Sequence, residues 1–192
     1  MNLYRFFAAI FFTIHSICSI AQEVSHETTA PSLKRHKAGV FLGNALIHGV
    51  HNTKTGKEQY VIAPTIGIDY EYWFNHRWAL GTYNEIAHLD IEVETEEHEE
   101  FIKRENAMLF SVVAVFEAFH HFGIFAGSGV ETDPHHTFWI GYLGVEYAIV
   151  RHNNWDVSFS LGYVNKDLYD AFTGGVVIGR RFGKPIPHSK HH

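Results

Sequence analysis

Residues 60–74, YVIAPTIGIDYEYWF, decide the architecture. The even positions carry Tyr60, Ile62, Pro64, Ile66, Ile68, Tyr70, Tyr72 and Phe74, and the odd ones Val61, Ala63, Thr65, Gly67, Asp69, Glu71 and Trp73. One set is bulky and apolar, the other mostly small or acidic. A helix cannot sort residues with a period of two, whereas a strand places successive side chains on opposite faces. Pro64 lacks the N–H that a ladder needs, so a local bulge is expected there.

The alternation recurs outward from this segment. Trp155, Val157, Phe159, Leu161 and Tyr163 oppose Asp156, Ser158, Ser160 and Gly162; Trp139, Leu143, Val145, Tyr147 and Ile149 oppose Tyr142, Gly144, Glu146 and Ala148. Phe122, Ile124 and Ala126 oppose Gly123, Phe125, Gly127 and Gly129, while Phe172, Val176, Ile178 and Phe182 oppose Thr173, Gly175, Gly179 and Arg181. Residues 107–119 follow the same rule, and residues 77–93 change phase near Ala87, as a β-bulge would cause. Residues 37–48 are strand-like without declaring a face. Eight strands result, joined by tight turns at 75–76, 120–121 and 152–154 that alternate with longer connections at 49–58, 94–106, 132–136 and 165–170. That spacing describes an up-and-down meander with a short-turn end and a long-loop end.

Composition narrows the class. The chain has 192 residues, 46% hydrophobic and 15% aromatic, which suits one domain and excludes disorder. No internal apolar run approaches the roughly 18 residues of a membrane helix, so a polytopic helical protein is excluded. A net charge of −6 and a pI near 6.2 give no basis for a nucleic-acid partner. Residues 1–21 read as a secretory signal, with Arg5 before the apolar stretch 6–14 and Ser19-Ile20-Ala21 before the cut. Cys18, the one cysteine, would leave with that signal, and Ile17 before it does not fit a lipid-attachment motif. Residues 22–36 are expected to form a flexible lead, 37–182 the barrel and 183–192 a polar tail.

Alternation alone fits both a membrane barrel and a soluble lipocalin-like carrier. Two features favour the membrane. Glycines (Gly67, Gly81, Gly127, Gly144, Gly162, Gly175 and others) crowd the polar face, where the narrow inner wall of an eight-stranded barrel needs small residues. Aromatics on the apolar face gather at strand ends: Phe74, Trp78, Phe122, Tyr147, Trp155 and Phe182 at the short turns, and Tyr60, Trp139 and Tyr163 at the opposite rim. Two such belts mark two bilayer interfaces. With the signal, the hairpin GIDYEYWFNHRWALG (67–81) and the closing strand GGVVIGRRF (174–182), the chain resembles the small OmpA/OmpX-like outer-membrane β-barrels of Gram-negative bacteria. The resemblance implies an all-β, eight-stranded antiparallel up-and-down transmembrane barrel in the outer membrane. It also implies lipopolysaccharide and outer-membrane lipids as surroundings, passage through the barrel-assembly machinery, and a monomer. The usual terminal aromatic is here internal, at Phe182.

For chemistry, the inward acids Asp69, Glu71, Glu85, Glu117, Glu146 and Asp156 need partners in a narrow lumen. Arg181 is the expected inward base, with Lys37 and Arg77 as helpers. A salt-bridged plug is the main expectation, and a cation or proton path the sharper one. Most of the 16 histidines lie in turns and tails, among them His120, His121, His135, His136 and His152, a placement that assigns no metal ligands. His48 and His51 lack a third ligand. Residues 92–105, with seven glutamates beside Lys103 and Arg104, read as a solvated acidic loop that would attract divalent cations or a basic partner. His88, Asp90 and Ser128 are the best material for a lipid A acyl-transfer enzyme, but no recognisable motif joins them. The reading is therefore a non-catalytic protein of envelope structure, adhesion or surface interaction, with no catalytic, cofactor-binding or metal-ligating residue assigned. The alternatives are a lipid-modifying enzyme and a soluble carrier.

Overall fold

The computed structural model describes residues 33–52, 57–94, 101–166 and 169–186. The expected signal (1–21) and the end of the tail (187–192) lie outside the described residues. Eight strands follow in chain order: β1 (Lys34–Asn52), β2 (Lys57–Trp73), β3 (Trp78–Glu94), β4 (Phe101–Phe119), β5 (Phe122–Thr132), β6 (Thr137–His152), β7 (Trp155–Lys166) and β8 (Ala171–Pro185). Each pairs antiparallel with the next, and β8 returns to β1 through pairs such as Val40↔Ile178 and Phe41↔Val177, which closes the barrel. Closure leaves no free edge around this wall, the condition for a sheet to cross hydrocarbon.

The two faces fall as the alternation requires. Ile62, Ile66, Ile68, Leu80, Val112, Leu143, Leu161 and Val176 are exposed on the exterior. Tyr60 at 67% and Trp139 at 73% stand exposed at the loop rim, and Phe74 at 53% and Phe119 at 73% at the turn rim. Water would penalise so continuous an apolar belt, whereas a bilayer solvates it. β1 also declares its face: Lys37, Phe41, Ala45 and Ile47 are buried within, while Val40, Leu42 and Leu46 point out.

Inside, aromatic rings sit opposite glycines. A Cβ on Gly144 would lie 2.2 Å from Cζ of Phe125, and one on Gly162 would lie 2.5 Å from the Tyr142 ring. Tyr83, Phe125 and Tyr142 meet edge-to-face, with centroids 5.1 Å and 5.2 Å from Phe125. Gly144 and Gly162 thus make room for rings carried by the neighbouring strands.

Three expectations are corrected in detail. Pro64 stands in register with Asn44, so no bulge forms there; instead the β2–β3 ladder ends next door, at Thr65↔Ala87. The connections 49–58 and 94–106 are largely strand, since β1–β2 pairing runs on to Asn52↔Lys57 and β3–β4 pairing to Glu94↔Phe101. The sheet also reaches three residues beyond 37–182 at each end, and Ile186 donates its N–H to the Leu33 carbonyl at 2.8 Å. The expected phase change near Ala87 is present as a register shift between Ala87 and Asp90.

Candidate functional site

Three features define what this barrel offers: an ionic cluster near the short turns, a second one at the loop-end mouth, and two ribbons projecting beyond that mouth. The first is built from residues of seven strands, all but β5. The Lys37 ammonium on β1 donates to Glu71 at 3.0 Å and to Glu146 at 2.6 Å. Glu71 also accepts from Trp73 Nε1 at 2.8 Å and from the Tyr83 hydroxyl at 3.0 Å. Arg181 bonds Asp156 through Nε at 2.6 Å and lies 4.9 Å from the Trp73 ring centre. Arg151 forks onto Glu117 at 2.8 Å and 3.2 Å. Four of the six sequence-predicted acids are thus paired with bases. Arg77, expected as a helper, is exposed in the turn after β2, and Arg151 on β6 takes that place.

Glu85 and Asp69 lie deeper, both buried, and Glu85 accepts from the Tyr142 hydroxyl at 2.6 Å. Around them Phe41, Tyr83, Phe125 and Tyr142 fill the centre of the lumen. The voids within are small. One lies among Lys37, Glu117, Glu146 and Arg181, another among Thr65, Glu85, Lys166 and Thr173, and each is about 20 Å³, room for a single water.

The mouth cluster was not foreseen. Arg104, with none of its surface exposed, contacts Glu131 at 2.8 Å and Asp133 at 2.5 Å and stacks on Phe138 at 4.6 Å. Lys166 reaches the other oxygen of Glu131 at 2.5 Å, and the Tyr169 hydroxyl donates to Glu131 at 2.8 Å. Asp133 also closes its own turn, accepting from the N–H groups of His135 and His136 at 2.8 Å and 2.7 Å. Inward parity along β5 and β7 extends naturally to Glu131 and Lys166. Arg104 is hidden from that rule by Asn106, whose φ of +48° marks a break in the alternation.

Beyond the mouth the wall opens. Pairing between β2 and β3 stops at Thr65↔Ala87, between β1 and β8 at Ile47↔Ala171, and between β4 and β5 at Met108↔Thr132. The β1–β2 and β3–β4 hairpins continue as separate two-stranded ribbons, the second pairing Asp90↔Glu105 through Glu94↔Phe101. Residues 57–64 of β2 and 88–94 of β3 therefore lie beyond the ladder that these two strands share.

His88, raised above as a catalytic candidate, is exposed and bonds Asn106 Oδ1 through Nδ1 at 2.7 Å. Ser128 stands exposed on β5 opposite Val112, which pairs in turn with Thr82, six residues along β3 from His88. At about 3.3 Å of rise per residue the two are separated by roughly 20 Å along the strands, so they do not form one site. The side chain of Asp90 and those of 48–59 lie outside the described residues. Among the described residues no group of His, Cys, Asp and Glu is arranged to hold a metal ion.

A closed eight-stranded antiparallel wall, an apolar exterior with aromatic rims and a filled interior together define a small transmembrane β-barrel. Among solved structures, the chain is similar to Ail, the attachment invasion locus protein of Yersinia pestis, at TM-score 0.48 and 15% identity over 78% of this chain and 99% of that one. It is also similar to Neisserial surface protein A, at TM-score 0.43 and 10% identity over 77% and 97%. A de novo designed transmembrane β-barrel matches at TM-score 0.41 and 9% identity over 77% and 98%. No family model and no curated protein matches the chain.

Proposed function

We propose that this barrel resides in the outer membrane of a Gram-negative cell and acts without catalysis, in envelope structure, adhesion or surface interaction. The observation that carries this reading is the filled lumen. Among the described residues, ionic clusters at both ends and an aromatic centre border voids of water size, which supports an interior that holds the fold rather than passing a solute. What is left to act on the surroundings is the exterior belt and the two ribbons. The belt meets outer-membrane lipids and the acyl chains of lipopolysaccharide, and the chain reaches that membrane through the barrel-assembly machinery as a monomer. The ribbons face outward and provide the interacting surface.

Two measurements test this. The protein should fractionate with the outer membrane and migrate differently on gels before and after boiling. In planar bilayers it should give no steady conductance above background. Recovery in the soluble periplasmic fraction, or a stable ion current, would refute the reading.

A further inference from the structure

We propose that the exterior of β8, β1 and β2 at the short-turn end seats one phospholipid molecule, whose phosphate is held by Arg180. This rests on the membrane reading above and adds a defined lipid site to it. Among the described exterior positions of the closed wall, Arg180 is the one permanently charged side chain. Its neighbours on that face of β8, Ile178 and Phe182, are apolar and exposed. Arg180 is exposed as well, and its one partner among the described residues is the Trp155 indole, whose ring centre lies 5.5 Å from Cζ. A guanidinium on a lipid-facing wall needs an anion, and here an aromatic face holds it against that wall. The pair Trp155↔Arg180 sets it at the level of the turn-end aromatic belt, where phospholipid head groups lie.

The register builds the rest of the seat. One row across the exterior reads Trp155, Arg180, Ala38 and Tyr70, on β7, β8, β1 and β2. Ala38 is exposed, and its methyl leaves a gap between the longer side chains of Arg180 and Tyr70. On the side of the turns this gap is bounded by His36, which stacks on Phe182 with centroids 5.2 Å apart and bonds the Tyr70 hydroxyl through Nδ1 at 2.7 Å. On the side of the bilayer centre the next row is Ile178, Val40 and Ile68, all exposed and aliphatic. A phosphate site followed by an apolar floor matches the order of groups along a glycerophospholipid, whereas a free phosphate would use only the first. Charge agrees with this occupant. The acids of the short-turn end, Glu71, Glu117, Glu146 and Asp156, are tied to bases within the barrel, so among the described residues no carboxylate there opposes a phosphate. With one face of its planar fork on Trp155, Arg180 still has in-plane N–H donors for phosphate oxygens.

The test uses the whole protein in detergent micelles and native mass spectrometry, with phosphatidylglycerol as the probe and diacylglycerol of the same chains as the control. One phosphatidylglycerol should stay bound, and diacylglycerol should bind about tenfold or more weakly. Arg180→Gln, checked for folding by its gel shift, should lose about tenfold in affinity for the phospholipid. Ala38→Leu keeps Arg180 and an apolar exterior but fills the gap, and should lose a comparable amount. Arg77→Gln removes an exposed base at the same end, away from the seat, and should leave binding unchanged. Inorganic phosphate should not displace the lipid. Equal binding of diacylglycerol, an Arg180→Gln variant that binds as the parent does, equal losses in Arg77→Gln and Arg180→Gln, or displacement by phosphate would each overturn the proposal. Where the protein still fractionates with the outer membrane, those results leave the membrane reading standing. Conversely, a phospholipid held through Arg180 by a protein recovered from the soluble periplasmic fraction would support the seat and refute the membrane residence.

Discussion

Replacing Lys37 with methionine tests whether the lumen is held by paired charge. Lys37 is buried on β1 and serves two carboxylates, Glu71 at 3.0 Å and Glu146 at 2.6 Å. After Lys37→Met the two acids fare differently. Glu71 keeps the Trp73 indole N–H and the Tyr83 hydroxyl, whereas Glu146 keeps no hydrogen-bond donor among the described residues. Removing one partner of a buried ion pair costs about 3–5 kcal/mol, chiefly because a charge is stranded. The lower end applies here, about 3 kcal/mol, because Glu146 borders a void that admits one water and its side chain is 14% exposed. Adding Glu146→Gln to Lys37→Met removes the stranded charge and should return at least half of the loss. The assay is reversible urea unfolding in lipid vesicles, followed by tryptophan fluorescence and by the heat-modifiable gel shift. A loss below about 1 kcal/mol for Lys37→Met, or no recovery in the double variant, would refute the account of a lumen closed by ion pairing.

Further predictions address the wall, the mouth and the turns. A Cβ on Gly129 would fall 1.9 Å from the Phe110 carbonyl oxygen, whereas one on Gly141 meets nothing nearer than 4.0 Å. Gly129→Ala should therefore cost about 3 kcal/mol or more by parting β4 from β5, and Gly141→Ala less than about 0.5 kcal/mol, in the same unfolding assay. Arg104→Met should release the β3–β4 ribbon while sparing the closed wall, read as faster hydrogen exchange at 101–106 with an unchanged gel shift. His120, in the turn after β4, is held below its usual pKa of 6.5 by partial burial and then by the nearby His121 and Arg151. Its neutral form is the one the fold favours, so its contribution is complete above about pH 6.5 and fades as pH falls through the lowered value. His120→Asn should flatten that part of the stability–pH profile in thermal melts.

The wall was legible because the bilayer enforces a rule on every residue: apolar outward, small or paired inward, with a period of two. The inward places of Glu71, Glu117, Glu146, Asp156 and Arg181 follow from it directly, and so do the aromatics at both rims. Where the chain leaves the bilayer both faces meet water and the rule lapses, which is why 49–58 and 94–106 read as loops although much of them is strand. The pairing of bases with acids was less accessible, since Arg151 and Arg77 differ in role only through the register and turn that place one within the lumen and the other outside it. Arg104 escaped because a two-against-one bulge beside Asn106 shifts the face without leaving a mark in hydropathy. Pro64 misled for a related reason: a missing N–H is tolerated wherever a ladder has already ended.

The aromatic centre, with Phe125 seated over Gly144 and Tyr142 over Gly162, has a consequence for how many copies a cell can carry. A hollow barrel lets solutes escape in proportion to its abundance, so its expression must be held in check. A barrel stoppered by its own side chains has no such ceiling. On the non-conducting reading proposed above, it can be crowded into a membrane as an electrically silent post, and the density of what it displays is then limited by surface area alone.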